Sequence, residues 1–296
     1  MHGETIRQTY TLVHFGDDSI AYAGQHLHAT EMEAHTHSFV EMALVVAGSG
    51  AHRTHAGLRP LQVGDVVLLR PGVWHGYEEC AGLVVHNCCF SAELLHRELA
   101  WTREDPLLGH LLWTGPYAGH GRGVLTTHLT ADEMAGCVAE LDAMSELTTR
   151  SLRLHRSDII ARLSLALGYA ARAALGEAAQ VSERVHPSVV EAMRRMEARP
   201  AHPWTLTELA GDLHLAPGYL VRLFKLATGL PPMAFLSRLR VELAAEQLLH
   251  SDRPINAIGE SVGWADPNYF ARRFRSHFGL SASAYRSKFA RPYRLG

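Results

Sequence analysis

Short apolar runs broken by Gly, Pro and polar turns fill residues 10 to 90, as in Val40 to Ala47, Val66 to Leu69 and Leu83 to Val85. Runs of this length between turn signals predict an antiparallel sandwich or barrel. From about residue 130 to 176 the texture becomes Ala/Leu-rich, and Val138, Leu141 and Met144, then Ile159, Ile160, Leu163 and Leu167, recur at helical spacing. Gly176 to His186 loses that period and turns polar, which marks a linker. Helical periodicity resumes beyond it. The chain of 296 residues exceeds the usual single-domain size. The pattern predicts an α+β multidomain protein: a β-barrel over 1–130, a helical region over 131–176, a linker over 177–185 and an all-α domain over 186–296.

The last of these contains an internal repeat. Leu209-Ala210-x2-Leu213, Tyr219-Leu220-x-Arg222-x-Phe224-Lys225 and Gly229 return as Ile258-Gly259-x2-Val262, Tyr269-Phe270-x-Arg272-x-Phe274-Arg275 and Gly279, the downstream members 50 residues apart. Each copy reads as a short helix, a tight turn (His214 to Pro217, Gly263 to Pro267) and a second helix, which is the helix-turn-helix plan. Thr205-x2-Glu208 has the form of a capping box that starts the first copy.

Charge sharpens the picture. The net charge is −2, but from residue 186 onward 15 Lys+Arg stand against 9 Asp+Glu, which leaves −8 for residues 1 to 185. The basic part suits a polyanion. In the first copy Leu220, Leu223 and Phe224 form the apolar stripe, leaving Gly218, Val221, Arg222 and Lys225 elsewhere; in the second, Tyr269, Phe270 and Phe274 are expected to pack, and Asn268, Ala271, Arg272, Arg273 and Arg275 to face outward. Arg222 and Arg272 can pair bidentately with guanine, Asn268 with adenine, and Lys225 suits phosphate. Met233 to Leu249 predicts a helix of roughly 25 Å between the copies, the right order for two reading helices one DNA turn apart. A solvated basic helix face explains any one of these side chains, but not the same Arg in both copies.

Over residues 186–290 these motifs, with Arg238-Leu239-Arg240-Val241-Glu242-Leu243-Ala244 between the copies and Tyr285-Arg286 after them, resemble the DNA-binding domain of the AraC/XylS family of bacterial transcription regulators. The resemblance implies a cytoplasmic regulator with double-stranded DNA, a small-molecule effector, a second copy of the chain and RNA polymerase as partners. Residue 218 often reads a base in relatives; here it is Gly, which puts more weight on Arg222. His214 stands where a turn glycine is usual, and Gly259 where alanine is usual, which weakens its helix by about 1 kcal/mol.

Histidines cluster in the other half, 15 of 20 before residue 186. His35-x-His37-x3-Glu41-x6-Gly48, then Gly64-Asp65 and Pro71-Gly72-x2-His75, place side chains 35, 37 and 41 on one face of a strand, since side chains alternate. The arrangement resembles the two motifs of the cupin superfamily, with Ala29 in place of a leading glycine and Glu79 in place of an asparagine. Two readings stand. His35, His37, Glu41 and His75 bind a divalent Zn, Ni, Fe or Mn ion, or they line a polar pocket for an organic, sugar-like effector. Arg53, His55, Trp74 and Tyr77 are candidates for the same cavity.

The function expected is a ligand-responsive, non-enzymatic DNA-binding transcription regulator, with two alternatives beside it. A metal-dependent cupin dioxygenase or isomerase fused to a DNA-binding domain would need further acid/base groups, none of which stands out. A chromosome-architecture protein would not need a His-rich pocket. No apolar run has membrane-spanning length, and the start of the chain, Met1 to Arg7, lacks a signal-like apolar stretch. The four cysteines have no CxxC spacing and are expected to be reduced and mostly buried.

Overall fold

The computed structural model describes residues 6–9, 12–15, 20–117, 122–148, 152–175 and 186–289. The expected linker, 177–185, lies outside the described residues. The chain forms two compact units, one of residues 1–100 and 124–180, the other of 101–123 and 181–296. Segment 101–123, which the sequence pattern groups with the barrel, therefore belongs to the same unit as the C-terminal helices.

Among the described residues, the first unit holds a nine-stranded, largely antiparallel sheet. Its strands are β1 (Ile6–Thr9), β2 (Leu12–Phe15), β3 (Ala21–His28), β4 (Met32–His37), β5 (Phe39–Thr54), β6 (Gly57–Leu61), β7 (Asp65–Leu69), β8 (His75–Ser91) and, after the excursion, β9 (Val124–His128). The long strands β5 and β8 pair from Phe39↔Ser91 to Arg53↔Gly76, with irregularities between Val45 and Ala51. β3 and β4 pair with β8, β6 and β7 with β5, and β9 with β7. Every residue from Phe39 to Val45 is buried, because this stretch is covered on both faces. One side holds Ala43, Val45, Val67, Leu69, Tyr77 and Leu83. On the other, α3 (Ala131–Thr148) packs on β3 and β8, and α4 (Leu152–Leu175) packs on α3 and β9. The short helix α1 (Ala92–His96) follows β8 in this unit, and α2 (Pro106–Gly109) lies in the 101–123 segment of the other. Cys88, Cys89 and Cys137 are buried free thiols, and Cys80 is partly exposed.

In the second unit α5 (Pro187–Ala198), α6 (Leu206–Asp212), α7 (Pro217–Thr228), α8 (Pro232–His250), α9 (Ile255–Ser261), α10 (Pro267–Phe278) and α11 (Ala282–Phe289) follow in order. The 19 residues of α8, about 28 Å long at 1.5 Å per residue, pack against α5, α7, α9, α10 and α11. The predicted cap forms, with Thr205 Oγ1 accepting from the amide of Glu208 at 3.1 Å. No helix among the described residues is long and apolar enough to cross a membrane.

The two departures from the family pattern have different consequences. His214 (φ 55°) occupies the left-handed position that Gly263 (φ 99°) fills in the second copy, a conformation that costs a non-glycine residue about 1–2 kcal/mol. Gly259 instead makes room: a Cβ there would lie 2.9 Å from Cδ1 of Phe270, whose ring stacks on Trp264 at 5.4 Å. Its helix-weakening effect is thus only half of the matter. Gly259→Ala should lower stability by about 1–3 kcal/mol through overpacking, against a gain of about 1 kcal/mol in helix preference. Denaturant unfolding checks the balance, and a stabilised variant would show that the ring moves aside freely.

Candidate functional site

In the sensor unit the imidazoles converge on one carboxylate. His35 and His37 end β4, Glu41 lies on β5 and His75 opens β8, all buried. His35 pairs with His75 in register, their rings 4.2 Å apart, and His37 lies 5.2 Å from His75. Glu41 Oε2 is 3.0 Å from His37 Nε2 and 3.7 Å from His75 Nε2. Donor atoms of His37, Glu41 and His75 all lie within 4.8 Å of one another. His35 flanks this triad, its ring tilted at 57° against that of His75, rather than joining it. Strand alternation is not what gathers them: the chain breaks at Ser38, so Glu41 arrives from a different strand than His35 and His37.

The tautomers fit a cation. His37 Nδ1 lies 2.7 Å from the carbonyl oxygen of Phe39 and donates to it, so in the neutral ring the Nε2 lone pair faces the Glu41 carboxylate. Two electron-rich atoms at 3.0 Å need a proton or a metal ion between them. Burial raises the Glu41 carboxyl, but the His37 hydrogen bond and the neighbouring imidazoles outweigh it and bring the group below its usual range. Burial, with His35, His37 and His52 nearby, holds His75 well below the ordinary imidazole range. Among the described residues its Nε2 is buried without a hydrogen-bond partner, as are Nε2 of His52 and the hydroxyl of Tyr77. Buried imidazoles with unsatisfied nitrogens gathered around a carboxylate are the donor set a divalent ion requires.

The inward-facing residue at this point of β5 is His52, not the expected Arg53 beside it. Arg53 points outward, half-exposed, and pairs with Glu78, while His52 faces inward 5.4 Å from His75 and 5.5 Å from Tyr77. Counting by two from Glu41 reaches Arg53, but the irregularities between Val45 and Ala51 shift the register and put the even residue inside. Arg53 is therefore withdrawn as a pocket residue. Tyr77 lies in the pocket, His55 sits in the turn between β5 and β6, and Trp74 is partly buried just before β8.

Burial pushes the His52 imidazole from 6.5 down to about 4. In the unfolded chain it titrates near 6.5, so between pH 6.5 and pH 4 the unfolded state takes up protons that the folded state refuses. Stability is complete above that window and falls as the pH drops through it. Chelator-treated protein should lose about 3 kcal/mol on this account from His52 alone, read as a falling melting temperature. A melt that stays flat from pH 7 to pH 4 would mean that these rings charge freely in the folded state.

In the second unit α7 and α10 repeat one geometry. Both run 12 residues, begin with proline and end on a left-handed glycine, Gly229 or Gly279. Gly218, Arg222 and Lys225 are exposed and Val221 is partly buried; Asn268, Ala271, Arg272 and Arg275 are exposed. The Arg222 guanidinium lies 5.0 Å over the Tyr219 ring, and that of Arg272 lies 5.7 Å over Tyr269. Two assignments change. Tyr269, expected to pack, is 42% exposed and carries Arg272, as Tyr219, 37% exposed, carries Arg222. Arg273, expected to face outward, is partly buried and donates Nε–H to Ser237 Oγ of α8 at 2.9 Å. The repeat held the signal for the tyrosines, which recur at the same place in both copies.

Known proteins share both halves. The family described as AraC-like ligand binding domain matches residues 19–184, and that described as helix-turn-helix domain matches 209–288. The HTH-type transcriptional activator RhaR of Klebsiella pneumoniae is 26% identical over 256 residues, covering 86% of this chain and 87% of RhaR. The RCS-specific HTH-type transcriptional activator RclR of Escherichia coli is 32% identical over 104 residues, 35% of this chain and 37% of RclR. The crystal structure of ToxT from Vibrio cholerae matches over 91% of this chain and 97% of ToxT at a TM-score of 0.51 and 11% identity, a likeness of fold.

Proposed function

Because the chain belongs to the AraC family of ligand-responsive, DNA-binding transcription regulators, we propose that α7 and α10 read two successive major-groove half-sites and that the input is taken at His37, Glu41 and His75. The observation that carries the DNA half is the doubled arrangement of arginine on tyrosine at corresponding points of two equal helices. An exposed aromatic ledge holds a guanidinium extended and reduces the side-chain entropy lost on binding a base edge. The relatives are transcription activators, and activation is the output assigned to this chain. Turnover of the ligand is no part of this reading.

His37, Glu41 and His75 would hold a divalent ion, with His35 and His52 beside them. Bound there, the ion supplies a positive centre that ties β4, β5 and β8 together and attracts an anionic or hydroxyl-bearing effector. Without metal the same unsatisfied imidazoles serve as donors and acceptors for a polar organic effector. A second copy of the chain is assigned to α4, where Leu154 and Leu165 are exposed; a monomeric mass at micromolar concentration would refute this assignment.

The experiment is selection of binding sites from random DNA by the full chain, followed by footprinting. Two protected segments spaced by about one helical turn, roughly 10 base pairs, support the tandem reading. A single short protected segment, or protection without sequence preference, overturns it.

A further inference from the structure

After α1 the chain leaves the sensor unit, contributes residues 101–123 to the DNA-binding unit, and returns as β9. The visiting segment is built as core. Every residue from Leu111 to Tyr117 is buried. Trp113 donates its indole N–H to Thr102 Oγ1 at 2.9 Å and lies 3.8 Å below the Arg103 guanidinium, which pairs with Glu197 of α5. The π-helical turn His110–Thr114 packs on α7.

Tyr117 makes the decisive contact. The Tyr117 ring meets Phe235 of α8 edge-on at 5.9 Å, and Phe235 meets Phe224 of α7 at 5.5 Å. Phe224 is fully buried on the face of α7 opposite the exposed Arg222. The buried side of the first reading helix thus rests on rings and a turn that the sensor's own stretch of chain helps to supply. The second reading helix is seated differently: Phe270 stacks on Trp264 and Phe274 meets Tyr285 at 5.4 Å. On its return the segment runs directly into a strand pairing that leads to the ligand cluster, since Val124 pairs with Leu69 and Leu69 with Glu41.

We infer that residues 101–117 form a positioning strap that seats α7, and not α10, in its DNA-reading orientation, so that the sensor acts on the first half-site alone. A close-packed seat transmits displacement because its side chains have few alternative arrangements. Tyr117 is a positioning residue here and touches no DNA. The inference rests on α7 being a DNA-reading helix, which the wild-type footprint tests separately.

The test uses the full chain and an operator selected in vitro, with footprints of wild type, Tyr117→Ala and Tyr117→Phe. Tyr117→Ala should lose protection over one half-site, keep it over the other, and bind at least about tenfold more weakly. Tyr117→Phe retains the ring against Phe235 and should stay within about twofold of wild type. Protection lost equally over both half-sites, or lost from neither, overturns the inference. A second readout needs no variant: operator DNA should slow amide hydrogen exchange within Leu111–Tyr117 of the wild-type chain, and unchanged exchange there overturns the inference as well. A wild-type footprint with one segment refutes the tandem reading itself, and the strap's half-site selectivity with it.

Discussion

Arg222→Ala combined with Arg272→Ala should abolish sequence-specific binding, lowering operator affinity by about 30-fold to 10⁴-fold. Each guanidinium is exposed and, among the described residues, rests only on its tyrosine ring. Neither is part of the core, so the melting temperature should not change. A bidentate arginine–guanine pair is worth about 1–3 kcal/mol, and two such pairs in separate half-sites add. Each single variant should relax base preference at one position of its own half-site. Lys225→Ala makes the control: as a phosphate contact it should weaken binding to all sequences alike and reduce the salt slope by about 1. Titrations against selected and scrambled operators decide, and an unchanged base preference in both arginine variants would falsify the assignment.

His75→Ala should empty the sensor. Among the described residues this ring carries an unsatisfied Nε2 3.7 Å from the Glu41 carboxylate, and it lies beside His35, His37 and His52. Losing one of three ligands costs more than the 10–100-fold typical of an outer partner, so metal affinity should fall by at least about 100-fold. Elemental mass spectrometry of untagged protein purified without chelator should find near-stoichiometric metal in the wild type and almost none in the variant. Metal-free wild-type protein that still binds its operator would sink the metal reading and leave the polar effector in its place. The variant's melt should also lose part of its pH dependence below pH 6.5, because one buried imidazole held below its ordinary range is gone.

Much of the candidate chemistry was legible without coordinates. His35, His37, Glu41 and His75 stood out because a motif fixes which side chains are available, and the fold brings them together through β4, β5 and β8. His52 and Arg53 could not be told apart in this way, since a register shift within β5 exchanges inside and outside and leaves no mark in the hydrophobic pattern. His35 was placed among the ligands but flanks the triad, because its distance depends on the pairing with His75 across the sheet.

What the sequence by itself determined is local. Helical period, proline starts and glycine ends delimit α7 and α10, and the repeat marks Arg222 and Arg272 as equivalent, because capping and side-chain direction are properties of a few consecutive residues. The tertiary structure alone decided the rest. It turned Tyr269 outward and Arg273 toward Ser237, because a helix's buried face is defined only by the partner that covers it. It chose His52 over Arg53, because strand parity depends on pairing across the sheet. It also assigned residues 101–117 to the DNA-binding unit, where Tyr117 finds a ring more than a hundred residues further along the chain, a pairing that no local periodicity encodes.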